Sequence, residues 1–376
     1  MRERSVSGWI WLGGLAAALV GCHQQPKQLL VDPTRAYVDA RAVLLQAAED
    51  SDPQVRTNAL EALAATEGHA AGAVYLQSLR DERLPVVSAG AMAIGETRYA
   101  PALATLRTLA TEPRTPAKLK CVTLYALHRL GDDRHTGELA ALLRDRDKFV
   151  RAEAARVMGK MGEPSAKGPL KALQRDDLEV VVRLNVAEAL AALGDERSVG
   201  LLEAFTKSQF LEDRLIAVAA LGRLRRARSV YALKRLLRDD KQDPLVRVAA
   251  AGSLGRLREP DGQDLALDAL RDPEGVLRKA RGANRAVRQH EITSLQTLAA
   301  LAQENFGEKL VVDDLHPLLR SPRGAVRIAA ARAILRLLRR YRPADVLPEP
   351  PRQPEPASEP SSQPVRPKMR TAGGRD

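Results

Sequence analysis

Four phenylalanines, two tryptophans and two cysteines in 376 residues leave this chain short of the side chains that usually fill compact cores and reactive sites. Aromatics make up 3% of it, and both tryptophans, Trp9 and Trp11, fall in the first dozen residues. A packed core must therefore come from Leu, Ala and Val, which is a helical composition. Stacking platforms for bases or sugars are correspondingly scarce. Two cysteines, Cys22 and Cys121, cannot build a disulfide framework. The six histidines form no HExxH, HxH or Cys/His cluster, and no phosphate-cradling glycine motif is present. The nearest constellation is HRLGDDRH, with His128, Asp132, Asp133 and His135. Its GDDRH segment returns as GDERS at 194–198, so it reads as an inter-helix turn. No catalytic site, metal or cofactor is expected, and the chain is read as non-enzymatic. What is present is 45% hydrophobic and 28% charged residues, the balance of a folded protein with one extended or two compact domains.

The start of the chain has a layout of its own. Residues 1–21 place Arg2 and Arg4 before an uncharged apolar run of about 14 residues from Gly8, which ends in small residues. That run is shorter than the roughly 20 residues a membrane-crossing helix needs, so a secretory signal is the stronger reading. Leu19, Val20, Gly21 and Cys22 resemble the lipobox of bacterial lipoproteins. The resemblance implies lipid attachment at Cys22, cleavage before it, and anchorage of the mature chain by two or three acyl chains in the cell envelope. His23 and Gln24 follow the cysteine where the family uses aspartate for inner-membrane retention, so outer-membrane localisation facing the periplasm is expected. Cys121 is then left without a disulfide partner, and is read as a half-buried inert thiol inside a helix.

A repeat governs the rest. The stretch DPLVRVAAAGSLGRL (243–257) returns as DPQVRTNALEALAAT, DKFVRAEAARVMGKM, EVVVRLNVAEALAAL, LEDRLIAVAALGRL and PRGAVRIAAARAILRL. Aligned on its arginine, it gives anchor positions Arg56, Val87, Lys120, Arg151, Arg183, Arg214, Arg247, Glu291 and Arg327, spaced 31 to 36 residues apart except for one step of 44. Apolar or small residues recur at −1, +3, +4, +7 and +10 from each anchor, which is one face of a helix, and glycine is frequent at +8. Asp52–Pro53 and Asp243–Pro244 carry the signature of a capped helix start. A second amphipathic segment precedes each copy, so the unit is a helical hairpin of about 32 residues that must stack on its neighbours. The predicted fold is an all-α solenoid, a superhelix of about nine hairpins over 32–342, with a short linker at 22–31. These units resemble the HEAT-repeat superfamily, most closely its short bacterial form among phycobilisome lyase-like proteins. That resemblance implies structural anchor arginines in a ladder with the acid four residues earlier: Asp52–Arg56, Asp147–Arg151, Glu179–Arg183 and Asp243–Arg247. Residues 343–376 hold nine of the 23 prolines and read as a disordered, extended tail.

The charge is unevenly placed. Of the net +12, residues 271–290 carry +4 and residues 323–342 carry +7, whereas the chain outside these segments, the leader and the tail from Pro348 sums to −1. The basic helix at 323–342 reads either as a terminal cap or, with the 271–290 insertion, as an anion-binding face. The residues that would bind such a partner are Arg278, Lys279, Arg281, Arg285, Arg288, Arg332, Arg336, Arg339 and Arg340. Position +9, basic at Arg129, Lys160, Arg223, Arg256 and Arg336, is expected to be a solvated stripe. Together these features describe a lipid-anchored, protein-binding scaffold of the cell envelope with an acidic partner or an anionic envelope surface. The competing readings are a nucleic-acid-binding HEAT-repeat protein, which the leader argues against, and a bilin lyase or chaperone. The intact mass of the chain from a bacterial membrane fraction tests the leader: an acylated N-terminus at Cys22 is expected, and an unmodified chain starting at Met1 in the soluble fraction would refute it.

Overall fold

The structure, a computed structural model, describes residues 29–282 and 286–343. Residues 1–28, with the leader and Cys22, and the tail from residue 344 lie outside the described residues. Nine hairpins follow one another. The first three are α1 (Pro33–Ala47) with α2 (Pro53–Thr66), α3 (Gly72–Ser78) with α4 (Leu84–Thr97), and α5 (Leu103–Thr111) with α6 (Ala117–Arg129). Next come α7 (Glu138–Leu142) with α8 (Lys148–Met161), α9 (Lys167–Asp176) with α10 (Val180–Ala192), and α11 (Glu196–Phe205) with α12 (Leu211–Arg223). The last three are α13 (Ala227–Arg238) with α14 (Pro244–Arg256), α15 (Gln263–Arg271) with α16 (Pro273–Arg281) and α17 (Gln289–Phe306), and α18 (Val312–Leu315) with α19 (Gly324–Leu337). The described part is thus an all-α solenoid, as its periodicity requires.

The second helix of each hairpin packs closely on the second helix of the next, whereas the first helices are splayed. Small residues make this possible. A Cβ on Gly159 of α8 would lie 2.6 Å from the Cα of Ala189 in α10, and one on Gly222 of α12 would lie 2.6 Å from the Cβ of Ser253 in α14. Glycine at +8 therefore receives a small residue at +6 of the next repeat. Close inner contacts and wide outer ones bend the stack, and the bend goes to completion: α19 packs on α17 on one side and on α1 and α2 on the other. The solenoid is a closed ring. The reading of 323–342 as the end of an open solenoid is corrected here, because α19 buries Ile328, Ala330, Ala331, Ile334 and Leu335 between two neighbours.

The anchor arginines are structural, but their ladder differs from the one the resemblance implied. Asp52, Asp147 and Asp243 cap their own helices through the amides of Gln54, Phe149 and Leu245. Arg56 instead reaches forward to Asp81 with two bonds of 2.9 Å, and Arg151 reaches Asp177 at 2.6 Å. Both also donate to carbonyls of the turn before their own helix. Each acid thus serves the preceding repeat. Arg327 of the last repeat approaches Asp50 of the first at 3.8 Å, which carries the same relation across the closure.

A second correction concerns the long step. Gly255 of α14 lies against Asn305 and Phe306, and Gly252 against Ala302. By the rule that +8 meets +6, Ala299, and not Glu291, is the anchor equivalent in α17. The hydrophobic period of the insertion mimicked the repeat and displaced the alignment by eight residues. The inserted chain is α16, the loop after it, and about two extra turns of α17.

Closure has a buried polar centre. The carboxylate of Glu67, 2% exposed, accepts from the Tyr37 hydroxyl at 2.7 Å and from Arg41 Nε at 3.0 Å, with Arg342 at 3.8 Å. Further links are Leu30 N to Asp313 and His316 Nε2 to Asp39, both between the first and last repeats. Removing the charge of a buried, paired carboxylate leaves its partners uncompensated. Glu67→Gln is expected to lower stability by about 3 kcal/mol, with hydrogen exchange accelerating first in α1, α2 and α19. Unchanged protection there would refute the role given to the buried Glu67 carboxylate.

Candidate functional sites in the lumen and on one rim

Nine helices spaced about 9 Å apart on a circle lie about 13 Å from its centre, leaving a bore roughly 8 Å in radius for side chains. Positions +5 and +9 of the inner helices point into that bore. This refines the expectation of a solvated stripe: the +9 face is solvated, but it lines the bore of the ring, where a cavity of about 910 Å³ lies. Around it stand Glu61, Glu96, Arg156, Lys160, Glu188, Arg223, Arg225, Arg226, Arg256 and Arg332.

Charges in this confined space pair with one another. Lys160 bridges to Glu96 two repeats away and lies 5.9 Å over the Tyr125 ring. Arg223 Nε donates to Glu188 at 2.6 Å, Arg156 to Glu153, and Arg332 to Glu304 with bonds of 2.9 and 2.8 Å. Glu61 faces Arg156, Arg332 and Lys160; burial pushes its pKa up, while those cations oppose the shift. Arg256 and Arg225 have no hydrogen bond or ion pair among the described residues. Burial pushes the Arg256 guanidinium below the ordinary range, as do Arg223, Arg332 and Arg336, with Glu304 pulling the other way. The +5 acids were missed in the sequence, although a charge at a fixed position of an otherwise apolar helix was a readable signal.

The two rims differ. All inner helices run in the same sense, so their N-termini share one rim and their C-termini the other. On the N-terminal rim, consecutive repeats expose Phe149 (52%), Leu178 (88%) and Phe210 (59%), with Val180 beside them. Below them a groove of about 770 Å³ opens between α7 and α9, lined by Leu143, Pro169, Leu173 and Leu178 and edged by Arg144, Asp176 and Glu179. Leu178 and Phe210 sit in turns and Phe149 and Val180 in the first residues of their helices, outside the periodicity that marks the core.

The sequence-derived basic set is divided among three places. Arg278 and Lys279 lie on α16, whose Leu277 is buried on the N-terminal rim, and Arg288 precedes α17 there. Arg278 pairs with Glu274. Arg285 and the side chain of Arg281 lie outside the described residues. Arg332 and Arg336 enter the lumen, the latter donating to the Ala65 carbonyl at 3.2 Å across the closure. Arg339 and Arg340 lie past α19 on the C-terminal rim, where Arg340 stacks on Tyr341 with its guanidinium 4.9 Å from the ring. The GDDRH segment is an inter-helix turn, in which Asp132 is held by Arg107 and Arg134. Among the described residues no group of three or more His, Cys, Asp or Glu could hold a metal ion. No described helix is long and apolar enough to cross a membrane.

The family described as HEAT repeats matches residues 112–191, 139–209 and 198–285, the part of the ring from α6 to α16. Among curated proteins, the chain is similar to deoxyhypusine hydroxylase of Schizosaccharomyces pombe, with 37% identity over 86 residues, 23% of this chain and 27% of that protein. It is also similar to deoxyhypusine hydroxylase-B of Oryza sativa subsp. japonica, with 37% identity over 81 residues, 21% of this chain and 27% of the relative. The chain thus spans about a quarter of the length of these relatives. Among solved structures, the complex of CpcE and CpcF of phycocyanin lyase from Nostoc matches with a TM-score of 0.36 and 19% identity, over 61% of this chain and 93% of that one. Human deoxyhypusine hydroxylase in complex with glycerol matches with a TM-score of 0.34 and 20% identity, over 71% and 96%.

Cys121 is more enclosed than its sequence position suggested. It is 0% exposed, its Sγ lies 3.9 Å from the Val150 carbonyl, and burial first, with Glu153 adding, pushes its pKa up to about 12. A neutral, inaccessible thiol does not react. In a Cys22→Ser variant at pH 8, a disulfide reagent is expected to leave the native protein unmodified and to titrate one thiol after denaturation; rapid native reaction would contradict the packing.

Proposed function

We propose that this chain is a non-catalytic ring scaffold that docks a protein partner on its N-terminal rim and is tethered by its opposite rim to a bacterial envelope membrane through lipid on Cys22. The observation that carries the first part is the row of exposed Phe149, Leu178 and Phe210 on consecutive repeats. Large apolar residues grouped on a surface and edged by charge are the usual anchors of a protein interface. The basic α16 projects on the same rim and favours an acidic partner surface. This keeps Arg278, Lys279 and Arg288 of the sequence-derived set as contact residues, with Arg281 and Arg285 beside them in sequence.

The geometry of the ends supports the tether. α1 runs antiparallel to α2, so Asp32 at its start lies on the C-terminal rim, where Leu30 meets Asp313. Seven residues, 22–28, extend at most about 25 Å. A lipidated Cys22 would therefore hold the C-terminal rim near the bilayer and turn the N-terminal rim toward the periplasm. Residue 343 leaves from the membrane-side rim as well, because it follows α19. An outer-membrane site is favoured by His23 after the cysteine, as the lipobox resemblance implies.

A photo-crosslinking residue placed at Leu178 is expected to capture a protein in intact bacteria. The same residue at Arg134, on the C-terminal rim, is expected to yield none. Phe210→Ser and the Arg278→Glu, Lys279→Glu pair should each reduce the Leu178 product several-fold without loss of helicity. Equal protein capture from both rims would overturn the assignment of the docking face.

A further inference from the structure

Three cavities meet at one side chain. Arg256 lines the lumen, a crevice of about 200 Å³ between α14 and α17, and a hollow of about 260 Å³ that also contains Arg225, Arg226 and Arg258. The crevice is walled by Leu215, Val248, Leu298, Leu301 and Ala302, with Asn305 and Ser253 as its neutral polar groups. Its floor is apolar and its other charged lining is Arg223, Glu304 and Arg332, beside Arg256.

The charge around this point does not close. Arg156, Lys160, Arg223, Arg226 and Arg332 each have a carboxylate: Glu153, Glu96, Glu188, Glu196 and Glu304 respectively. Arg225 and Arg256 have no hydrogen bond or ion pair among the described residues. Glu61 is the remaining lumen carboxylate without such a bond, and the cations around it are Arg156, Arg332 and Lys160, not Arg256. The folded chain therefore holds two unpaired guanidiniums beside further arginines, at a place where three open spaces join. Both side chains are open to the solvent of the lumen, so their charges are hydrated rather than buried, and they remain available to an anion that enters it. Next to it, Arg258 is held at φ +68°, a left-handed conformation uncommon for a long side chain. At the same point in other repeats the chain uses Gly131, Gly162 and Gly194, and in the second repeat Arg98 at φ +54°.

We infer that the lumen at Arg256 and Arg225 is a binding site for a phosphate-bearing small molecule, whose apolar portion enters the crevice between α14 and α17. A guanidinium fork matches two phosphate oxygens, and two unpaired forks match the two charges of a phosphate monoester or of pyrophosphate. The crevice is too small for a lipid chain pair but accepts a ring or a short alkyl group. This site faces the axis of the ring, and occupying it does not require the N-terminal rim.

Inorganic pyrophosphate titrated into the full chain by calorimetry tests the inference. Saturable binding at one site is expected, weakened at least tenfold by Arg256→Gln and less by Arg256→Lys. Arg144→Gln, on the N-terminal rim, should leave it unchanged. Arg256→Gln is also expected to raise the melting temperature of the ligand-free protein, since it removes a repelled charge and no bond. Absence of binding at millimolar pyrophosphate, equal affinity in Arg256→Gln, or a lower melting temperature in that variant would each overturn the assignment.

Discussion

The close contact between inner helices is what the rest of this architecture follows from. Where Gly159 meets Ala189 and Gly222 meets Ser253, no larger side chain fits, whereas the outer helices are held apart by ordinary side chains. A stack with one tight layer and one loose layer must curve. Nine repeats that return to their start turn by about 40° each. A methyl group more at the tight layer would flatten the curve and open the ring, so the smallest residues in the chain govern its largest feature.

Closure changes the meaning of the charged residues. In an open solenoid the concave face meets bulk water, and isolated surface charges contribute little to stability. Once the concave face becomes a bore, the same side chains stand opposite one another at a few ångströms and sort into pairs, as Lys160 does with Glu96 and Arg223 with Glu188. The seven arginines of 323–342 are divided in the same way, with Arg332 turned to Glu304, Arg336 to the Ala65 carbonyl, and Arg327 toward Asp50. A high density of positive charge in sequence thus spreads into lumen, closure and rim.

Much of the fold was legible because the repeat is a local signal. Apolar positions at fixed distance from Arg56, Arg151 or Arg247 report which side of a helix is buried, whatever lies farther along the chain. Closure was not legible, since curvature is the sum of many small rotations and no single repeat encodes it. The ladder was misassigned because Asp52 lies one helical turn before Arg56, where an ion pair and a cap look alike in sequence; the amide of Gln54 takes the aspartate. Ala299 was passed over for Glu291 because the insertion carries a helical period of its own. At the candidate sites, the basic residues of the insertion and of +9 were visible, but their placement on opposite sides of the ring depended on closure. Phe149, Leu178 and Phe210 gave a weaker signal, since turns and the first residues of helices carry no period against which an apolar residue stands out.

A linear array of repeats has two weak ends, and loss of structure can begin at either one. Here the first and last hairpins are neighbours, joined by Leu30 to Asp313 and by His316 to Asp39, with Arg342 approaching Glu67. The backbone has a beginning and an end, but the packing has neither. The order of hairpins along the chain is therefore one of several that could build this ring: a chain cut in the turn before α16 and rejoined across the C-terminal rim would describe the same circle.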